Sequence, residues 1–404
     1  MGFSQGLSGL SAAAKALDVV GNNIANSQTV GFKAGSVSFA DIFAGSTGMG
    51  VQVAGVSQNF GQGGPGIGGS ALDMMISGKG FFRMVDDAGS VFYGRNGQFE
   101  QNENGFIVNK TNGMFLTGYQ ATDGVINPGG QVGPIRIPKD DMPPAASTKG
   151  SLTGNLKSDD KIIPAGTKFD PDKKDTYNFV SEVTATDSLG NKHAIKVYYV
   201  HTKEGEWQVH AHDSTSQGIG GPGNDGWATE TLKFEPDGKL TTPVALNIDG
   251  SPYNGSAELK LNLDLSALTQ NAGDTQIMLG EIDGQAPGKF NNYEVSDTGE
   301  VIAIYSNGKR QTVAQVVLAD FANTGGLAQQ GNNLWAETSQ SGQPFLGVSG
   351  SGSFGDMKGG MLETSNVNLG DEMVNMIVYQ RNYQSNSQTI KTQSEVLQTL
   401  VNLR

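Results

Sequence analysis

The stretch Phe3-Ser-Gln-Gly-Leu7-Ser-Gly-Leu10-Ser-Ala-Ala-Ala14-Lys-Ala-Leu17-Asp-Val-Val-Gly21-Asn-Asn-Ile24 decides how this chain is read. Its apolar and small residues Phe3, Leu7, Leu10, Ala14, Leu17, Gly21 and Ile24 recur at alternating steps of four and three, the spacing of one helix face. The other end answers it: Met376, Tyr383, Ile390 and Leu397 recur every seven residues, with Met373, Gln380, Ser387, Ser394 and Val401 on the adjacent seam. A sustained repeat of this kind is the pattern of helices that wrap around partner helices. The sequence between the ends reads as strand and loop. The expected fold is therefore mainly β, with two β-rich domains, one inserted in the other, and N- and C-terminal α-helices pairing as a coiled-coil-like assembly domain.

Composition narrows the function. Of 404 residues, 36% are hydrophobic, 58 are Gly and only 17% are charged, a balance too apolar for disorder throughout and too rich in turn formers for a helical protein. The net charge of −13 argues against nucleic acid or an anionic membrane as partner, because both need a basic face. Cysteine is absent, which excludes thiolate metal sites and disulfides. The first residues lack the basic and apolar blocks of a secretory signal, and no apolar run is long enough to span a bilayer.

Glycine punctuates the middle of the chain. The run Gly61-Gln-Gly-Gly-Pro-Gly-Ile-Gly-Gly69 reads as a linker or extended loop. Asn96-Gly97, Asn104-Gly105 and Asn112-Gly113 sit eight residues apart among β-rich triplets, and Asn-Gly favours the positive φ of tight hairpin turns. A polar run from Pro134 to Thr148 marks a boundary. Beyond it, Leu259, Leu261, Leu263 and Leu265 alternate with polar residues, so one face of that strand is buried and the other wet. Asp187, Asp237-Gly238 and Asp249-Gly250 supply further turns. Strand signals resembling the first β-region resume after Asp283-Gly284. Gly347 to Gly360 then leads into a helix starting near Asn368, with Asp371 and Glu372 in its first turn. The expected division is 1–24 with 370–404 as a terminal helical polymerisation domain, 25–70 and 358–369 as connectors, 71–144 with 285–357 as a discontinuous β-domain, and 145–284 as an inserted outer β-domain.

The large apolar side chains on the two stripes are too few to offset the entropy of ordering both ends. The polar seam of Gln380, Ser387 and Ser394 weakens a two-helix coil further. The ends are expected to be largely disordered in a lone subunit and to fold when neighbours supply the missing surface. An intramolecular coil that stands on its own is the alternative.

Candidate chemistry is thin. His210 and His212 would share a face of a strand, as metal ligands can, with Asp213 beside them, but no third ligand motif is in view. Gly350-Ser-Gly352-Ser-Phe-Gly355 matches a dinucleotide pattern without the strand before it or the helix after it. Asp41, Asp73, Asp86 and Asp87 could pair carboxylates, although Asp near Gly is usually a turn residue. Trp207, Trp227 and Tyr253 would serve a carbohydrate-binding surface if exposed. No enzyme activity, cofactor or metal is expected.

The stretch Gly21-Asn22-Asn23-Ile24-Ala25-Asn26-Ser27-Gln28-Thr29-Val30-Gly31-Phe32-Lys33 resembles the motif of the bacterial flagellar rod and hook protein family, and so does the C-terminal Glu372 to Asn386 running on through Leu397 to Arg404. Phe39-Ala-Asp-Ile-Phe43, Gly80-Phe81-Phe82, Arg95-Asn96-Gly97 and Leu318-Ala-Asp-Phe321 point to the hook-forming branch, since rod members are shorter and junction members longer; another axial protein of the family is the alternative. The resemblance implies a structural subunit that polymerises into a flexible helical tube transmitting motor torque as a universal joint. It implies that Phe3, Leu7, Leu10, Leu17, Ile24, Met376, Tyr383, Ile390 and Leu397 are assembly residues, and that Asn22, Asn23, Ile24, Asn26, Gly31, Phe32 and Lys33 form the family motif. Phe39 and Phe43 fall where such proteins carry a short export-gate motif, with ordinary packing as the alternative. The implied partners are further copies of itself, a distal rod protein, a hook cap, a hook–filament junction protein, a hook-length control protein and the flagellar type III export apparatus. The implied location is outside the cell, after export without a cleaved signal.

Overall fold

A computed structural model describes residues 2–44, 47–164, 166–215, 227–250 and 252–402. Two compact units emerge: residues 1–139, 292–304 and 310–404 form the first, and residues 140–291 with 305–309 the second. The chain is mainly β with a helix near each end.

In the first unit, helix α1 spans Gly2–Ala25 and helix α2 spans Leu369–Asn402. α2 begins where Asn368 Oδ1 accepts the N–H groups of Gly370 (3.0 Å) and Asp371 (3.4 Å), an N-cap that satisfies two otherwise orphaned donors. α1 runs through Gly21-Asn22-Asn23 and ends one residue past the Ile24 that closes the apolar stripe. Asn23 reaches across to another segment instead of competing for its own backbone. The stop comes at Asn26 and Ser27, whose side chains bond the last-turn carbonyls of Asn22 (3.0 Å) and Ile24 (2.8 Å). Between the helices in sequence, Gly35–Ala44 and Thr47–Gln58 form a long antiparallel hairpin, with Val37 opposite Val56 and Phe39 opposite Val53. Register shifts at Ser38/Phe39 and Ile42/Phe43 interrupt the period-2 alternation by which such strands are read.

The β-sheet of this unit centres on Phe81–Val85. It is flanked by Val91–Gly94, Phe115–Thr122 and Arg310–Asp320, with Met84 opposite both Phe92 and Leu116 and Phe82 opposite Leu318. Phe81, Tyr93, Phe321 and Trp335 bury a cluster of edge-to-face rings, with Phe60 packed on it.

Two of the three Asn-Gly pairs make turns, with positive φ on the glycine alone (Gly105 +86°, Gly113 +74°). Asn96-Gly97 makes none. Gly97 accepts Met74 N–H at 2.9 Å, and an added Cβ would lie 1.7 Å from Met74 O, so the glycine serves close backbone approach. Asp249-Gly250 is likewise no turn: it closes the strand Ala245–Gly250, with Gly250 opposite Leu259. The two Gly-rich runs are not free linkers either. Pro65–Ile67 pairs with Met361–Glu363, Asp356–Gly359 pairs with Met74–Ser77, and Phe345–Val348 pairs with Arg310–Asp320. Gly350 to Gly355 is a loop closed by Ser349 Oγ donating to Gly355 O at 2.9 Å, with no helix following it.

The second unit is a sandwich. One sheet orders Ala245–Gly250, Leu259–Asn271, Lys149–Lys157 and Gln276–Ile282; the other orders Phe179–Thr186, Lys192–Lys203, Glu206–Asp213 and Ala228–Lys233. Both contribute to one core, in which Leu259, Leu261, Leu263 and Leu265 face Val197, Tyr199, Trp207 and Val209. The leucine alternation therefore buries one face while Lys260, Asn262 and Asp264 stay exposed.

Candidate assembly surface

α1 and α2 pair antiparallel, Gly6 lying beside Ile390, Gly9 beside Asn386 and Asn23 beside Glu372. The contact is close because the facing residues are small. An added Cβ on Gly6 would stand 3.1 Å from Ile390 Cγ1, and one on Gly9 2.7 Å from Asn386 Oδ1. The buried residues of α1 are Gly6, Ala12, Ala13, Ala16, Val20 and Asn23. Most of this face lies one residue, about 100° of rotation, away from the apolar stripe read in the sequence. That stripe is left open: Phe3 is 46% and Leu7 53% exposed, while Leu10, Leu17 and Ile24 are half-buried.

On α2, Met376 and Ile390 are half-buried, Tyr383 is 38% exposed and Leu397 58% exposed. A second apolar set, Met373, Val374, Ile377, Val378 and Val396, is exposed elsewhere on the helix. In the hairpin, Phe39 packs edge-on against Tyr379 of α2 with ring centres 6.5 Å apart, yet stays largely exposed, and Phe43 is more exposed still. Leu403 and Arg404, the end of the resembling stretch, lie outside the described residues.

The Asn22–Lys33 motif ties the chain's two ends together. Asn23 is buried; its Nδ2 donates to Gly35 O (2.8 Å) and Glu372 Oε1 (3.1 Å), while its Oδ1 accepts Gly35 N–H (2.9 Å). Asn22 and Asn26 bond each other at 2.8 Å. Gly31, at φ +70°, donates its N–H to Glu363 O at 2.8 Å, and its bare Cα allows Arg95 and Asn96 to approach. Phe32 is buried beside it.

Lys33 is the centre of a buried charge cluster. Its Nζ donates to Glu363 Oε1 and to Gly61 O, both at 2.7 Å, and its side chain is wholly buried. Glu363 Oε1 also accepts Gly63 N–H (2.8 Å), and Glu363 Oε2 accepts Arg95 Nη1 (3.0 Å). Arg95 Nη1 also donates to the Ile76 carbonyl (3.3 Å) and Nη2 to that of Gly78 (2.6 Å), while its Nε is buried without a partner. Two cations thus share one carboxylate, and three carbonyl dipoles take up the surplus charge. Burial pulls the Lys33 ammonium below the usual lysine range, against the attraction of Glu363. Lys33 stood in the sequence motif. Glu363 and Arg95 were missed as its partners, because sequence spacing carries no record of a contact 330 residues apart.

The other candidate residues take structural places. His210 and His212 share the outer face of Glu206–Asp213, and Asp213 turns to the opposite face, where it meets His193 Nδ1 at 2.5 Å. Strand alternation thus separates the three, and no metal-holding group of His, Cys, Asp or Glu occurs among the described residues. Asp73 is buried, paired with Lys110 at 3.0 Å, and accepts the N–H groups of Gly69 and Ser70. Asp86 accepts those of Ala88 and Ser90, as a turn residue does. Asp41 and Asp87 are exposed. Trp207 is fully buried and stacked on His201, so it cannot serve a surface; Tyr253 packs edge-on to His193, and Trp227 lines a cleft. Among the described residues, no helix is long and apolar enough to cross a membrane.

The helix pair joining both termini, the β-unit of the same part of the chain and the inserted sandwich find their counterparts in comparison with known proteins. Residues 5–33 match the flagella basal body rod protein family and 358–403 the C-terminal family of the flagellar basal body rod FlgEFG proteins. Residues 75–154 match the flagellar hook protein FlgE/F/G D1 domain, and 155–285 the flagellar basal body protein FlaE D2 domain. The chain is 48% identical to the flagellar hook protein FlgE of Salmonella typhimurium and 47% to that of Escherichia coli, over the whole of both chains in each case. It is 32% identical to that of Borreliella burgdorferi, covering 99% of this chain and 98% of the relative. The crystal structure of Helicobacter pylori flagellar hook protein FlgE2 covers 74% of this chain and is itself wholly covered, with a TM-score of 0.54 at 17% identity, a likeness of fold. The chain belongs to the flagellar hook protein family.

Proposed function

We propose that this chain is the structural subunit of a bacterial flagellar hook, polymerising into a flexible helical tube that carries motor torque as a universal joint. One observation carries the mechanism: the helix pair buries its small residues and leaves its large ones outside. Among the described residues, ten large apolar side chains on α1 and α2 stand at least 38% exposed: Phe3, Leu7, Leu369, Met373, Val374, Ile377, Val378, Tyr383, Val396 and Leu397. Covering what remains of them is worth about 1 kcal/mol each. The sum is comparable to the roughly 4–15 kcal/mol cost of immobilising a subunit, so a single contact holds weakly and several per subunit hold well. Head-to-tail contacts of this kind, repeated by one screw operation, make an open tube.

In this reading residues 1–24 and 370–404 form the polymerisation domain. Phe3, Leu7, Leu10, Leu17, Ile24, Met376, Tyr383, Ile390 and Leu397 contribute to contacts between copies, and the helices gain much of their stability only in the polymer. Residues 25–70 and 358–369 connect, 71–144 with 285–357 form the middle layer, and 145–284 the outer one. The Asn22–Lys33 motif fixes the angle at which the helices leave the β-unit. Phe39 and Phe43, exposed in the hairpin, are available to an export gate before the hairpin forms. The subunit leaves the cell through the flagellar type III export apparatus without a cleaved signal and adds beneath a cap, meeting rod, junction and length-control proteins. It performs no catalysis and uses no cofactor. Sedimentation and electron microscopy of the full chain beside one lacking 1–24 and 370–404 test this. Tubes from the first alone, under salting-out conditions, are expected; tubes from both would remove the helices from the mechanism.

A further inference from the structure

The outer face of a sandwich sheet is ordinarily polar, since it faces water. In the second unit it is not. Tyr198, His210, His212 and Trp227 line up there, and Phe169 and Tyr177 fold over them: Phe169 stacks on His210 with ring centres 4.3 Å apart, and Trp227 lies 4.0 Å from His212. Beside this cluster opens a cleft of about 620 Å³, within the size range of small-ligand sites. Its walls pair two aromatic rings, Phe169 and Trp227, with the polar side chains of Thr202, Gln208 and His210.

His210 is the telling residue. Its ring is 9% exposed, its Nδ1 lies 2.9 Å from Thr229 Oγ1, and its Nε2 is buried without a hydrogen-bond partner. A buried polar atom left unpaired needs an explanation, and an absent ligand supplies one. The chemistry of that ligand follows from the walls. Burial lowers the His210 pKa to about 4, so the imidazole is neutral at pH 7; Gln208 and Thr202 are neutral too, and Lys168 is the one charged side chain of the lining, in a chain whose net charge is −13. A neutral molecule with an apolar face for the rings and hydroxyls for the amide, hydroxyl, imidazole and ammonium groups matches these walls.

We propose that this cleft binds a neutral sugar ring, stacked on Trp227 and hydrogen-bonded by His210 Nε2, Gln208 and Thr202. The cleft is built from one unit of one chain, so binding is independent of polymerisation and is measured on the unassembled full chain.

The test is saturation-transfer NMR of the full-length chain with maltotriose, cellotriose and chitotriose, alongside tryptophan fluorescence. Trp207 and Trp335 are fully buried, so Trp227 dominates any ligand-induced fluorescence change. Saturable transfer from at least one sugar is expected, with affinity falling about tenfold or more in Trp227→Ala and about fivefold in His210→Phe, which keeps the stack and removes the nitrogen. Thermal unfolding of each variant separates lost binding from lost folding. Transfer from none of the three sugars, or transfer unchanged in a folded Trp227→Ala chain, overturns the proposal. So does self-association that Trp227→Ala abolishes while no sugar binds, because the cleft would then be a socket for a second copy.

Discussion

The inserted sandwich and the terminal helix pair treat their apolar residues in opposite ways. In the sandwich, Trp207, Tyr199 and the alternating leucines from Leu259 to Leu265 are all within 1% of complete burial. In the helix pair, fully buried positions hold Ala16 and its small neighbours, while Leu7, Val374, Ile377 and Leu397 are about half exposed or more. A region that completes its own core can fold alone. A region that hides its small side chains and displays its large ones leaves apolar surface that, under the proposed function, other copies cover. The contrast shows that burial within one chain is the wrong measure of importance for a polymer subunit.

Substitutions can break or sharpen this contrast. Trp207→Ala should cost the sandwich about 3–5 kcal/mol, read as a lowered denaturation midpoint of the purified chain; a neutral result would mean that the sandwich too leans on neighbours. Glu363→Gln leaves Lys33 and Arg95 without a counter-ion in a buried place and should cost about 3 kcal/mol in urea unfolding, chiefly in the first unit.

Acid offers a milder probe. Burial lowers the His210 pKa to about 4 and that of His212 in the same direction, with Lys196 adding to the latter effect and Asp213 opposing it. Between pH 6.5 and 4 the unfolded chain binds more protons at these sites than the folded one, so stability falls as pH drops through that window. Discounted for partial solvent access, the loss at His210 is about 1–2 kcal/mol. His210→Phe should flatten the slope of unfolding midpoint against pH. The smallest effect on the lone subunit is expected for Ile377→Asp: unfolding unchanged within about 0.5 kcal/mol, yet a critical concentration for tube formation raised about tenfold or more by light scattering. Equal assembly of mutant and parent would place the interface elsewhere.

The sequence reveals the period of the terminal helices because period is local. It does not reveal which side the partner helix takes, because that depends on Gly6 and Gly9 admitting Ile390 and Asn386, a contact written across the whole chain. The leucine alternation is legible for the same local reason, whereas in the hairpin of residues 35–58 register shifts at Ser38/Phe39 and Ile42/Phe43 break the alternation. Asn96-Gly97 mimics a turn because its composition is right; only the approach of Met74 O shows what the glycine is for. Of the candidate site, the Asn22–Lys33 motif is visible, and its partners at Glu363 and Glu372 are not.

The cluster at Lys33 also sets an order of events. Its carboxylate lies 330 positions from Lys33 and 268 from Arg95, so a chain delivered from its N-terminus presents both cations long before their shared anion. Until Glu363 arrives, burying either charge is costly, and the joint between helix and β-unit has no reason to close. Nine-tenths of the polypeptide must be present before this lock can turn. Closing the cluster therefore takes a chain that reaches at least as far as Glu363.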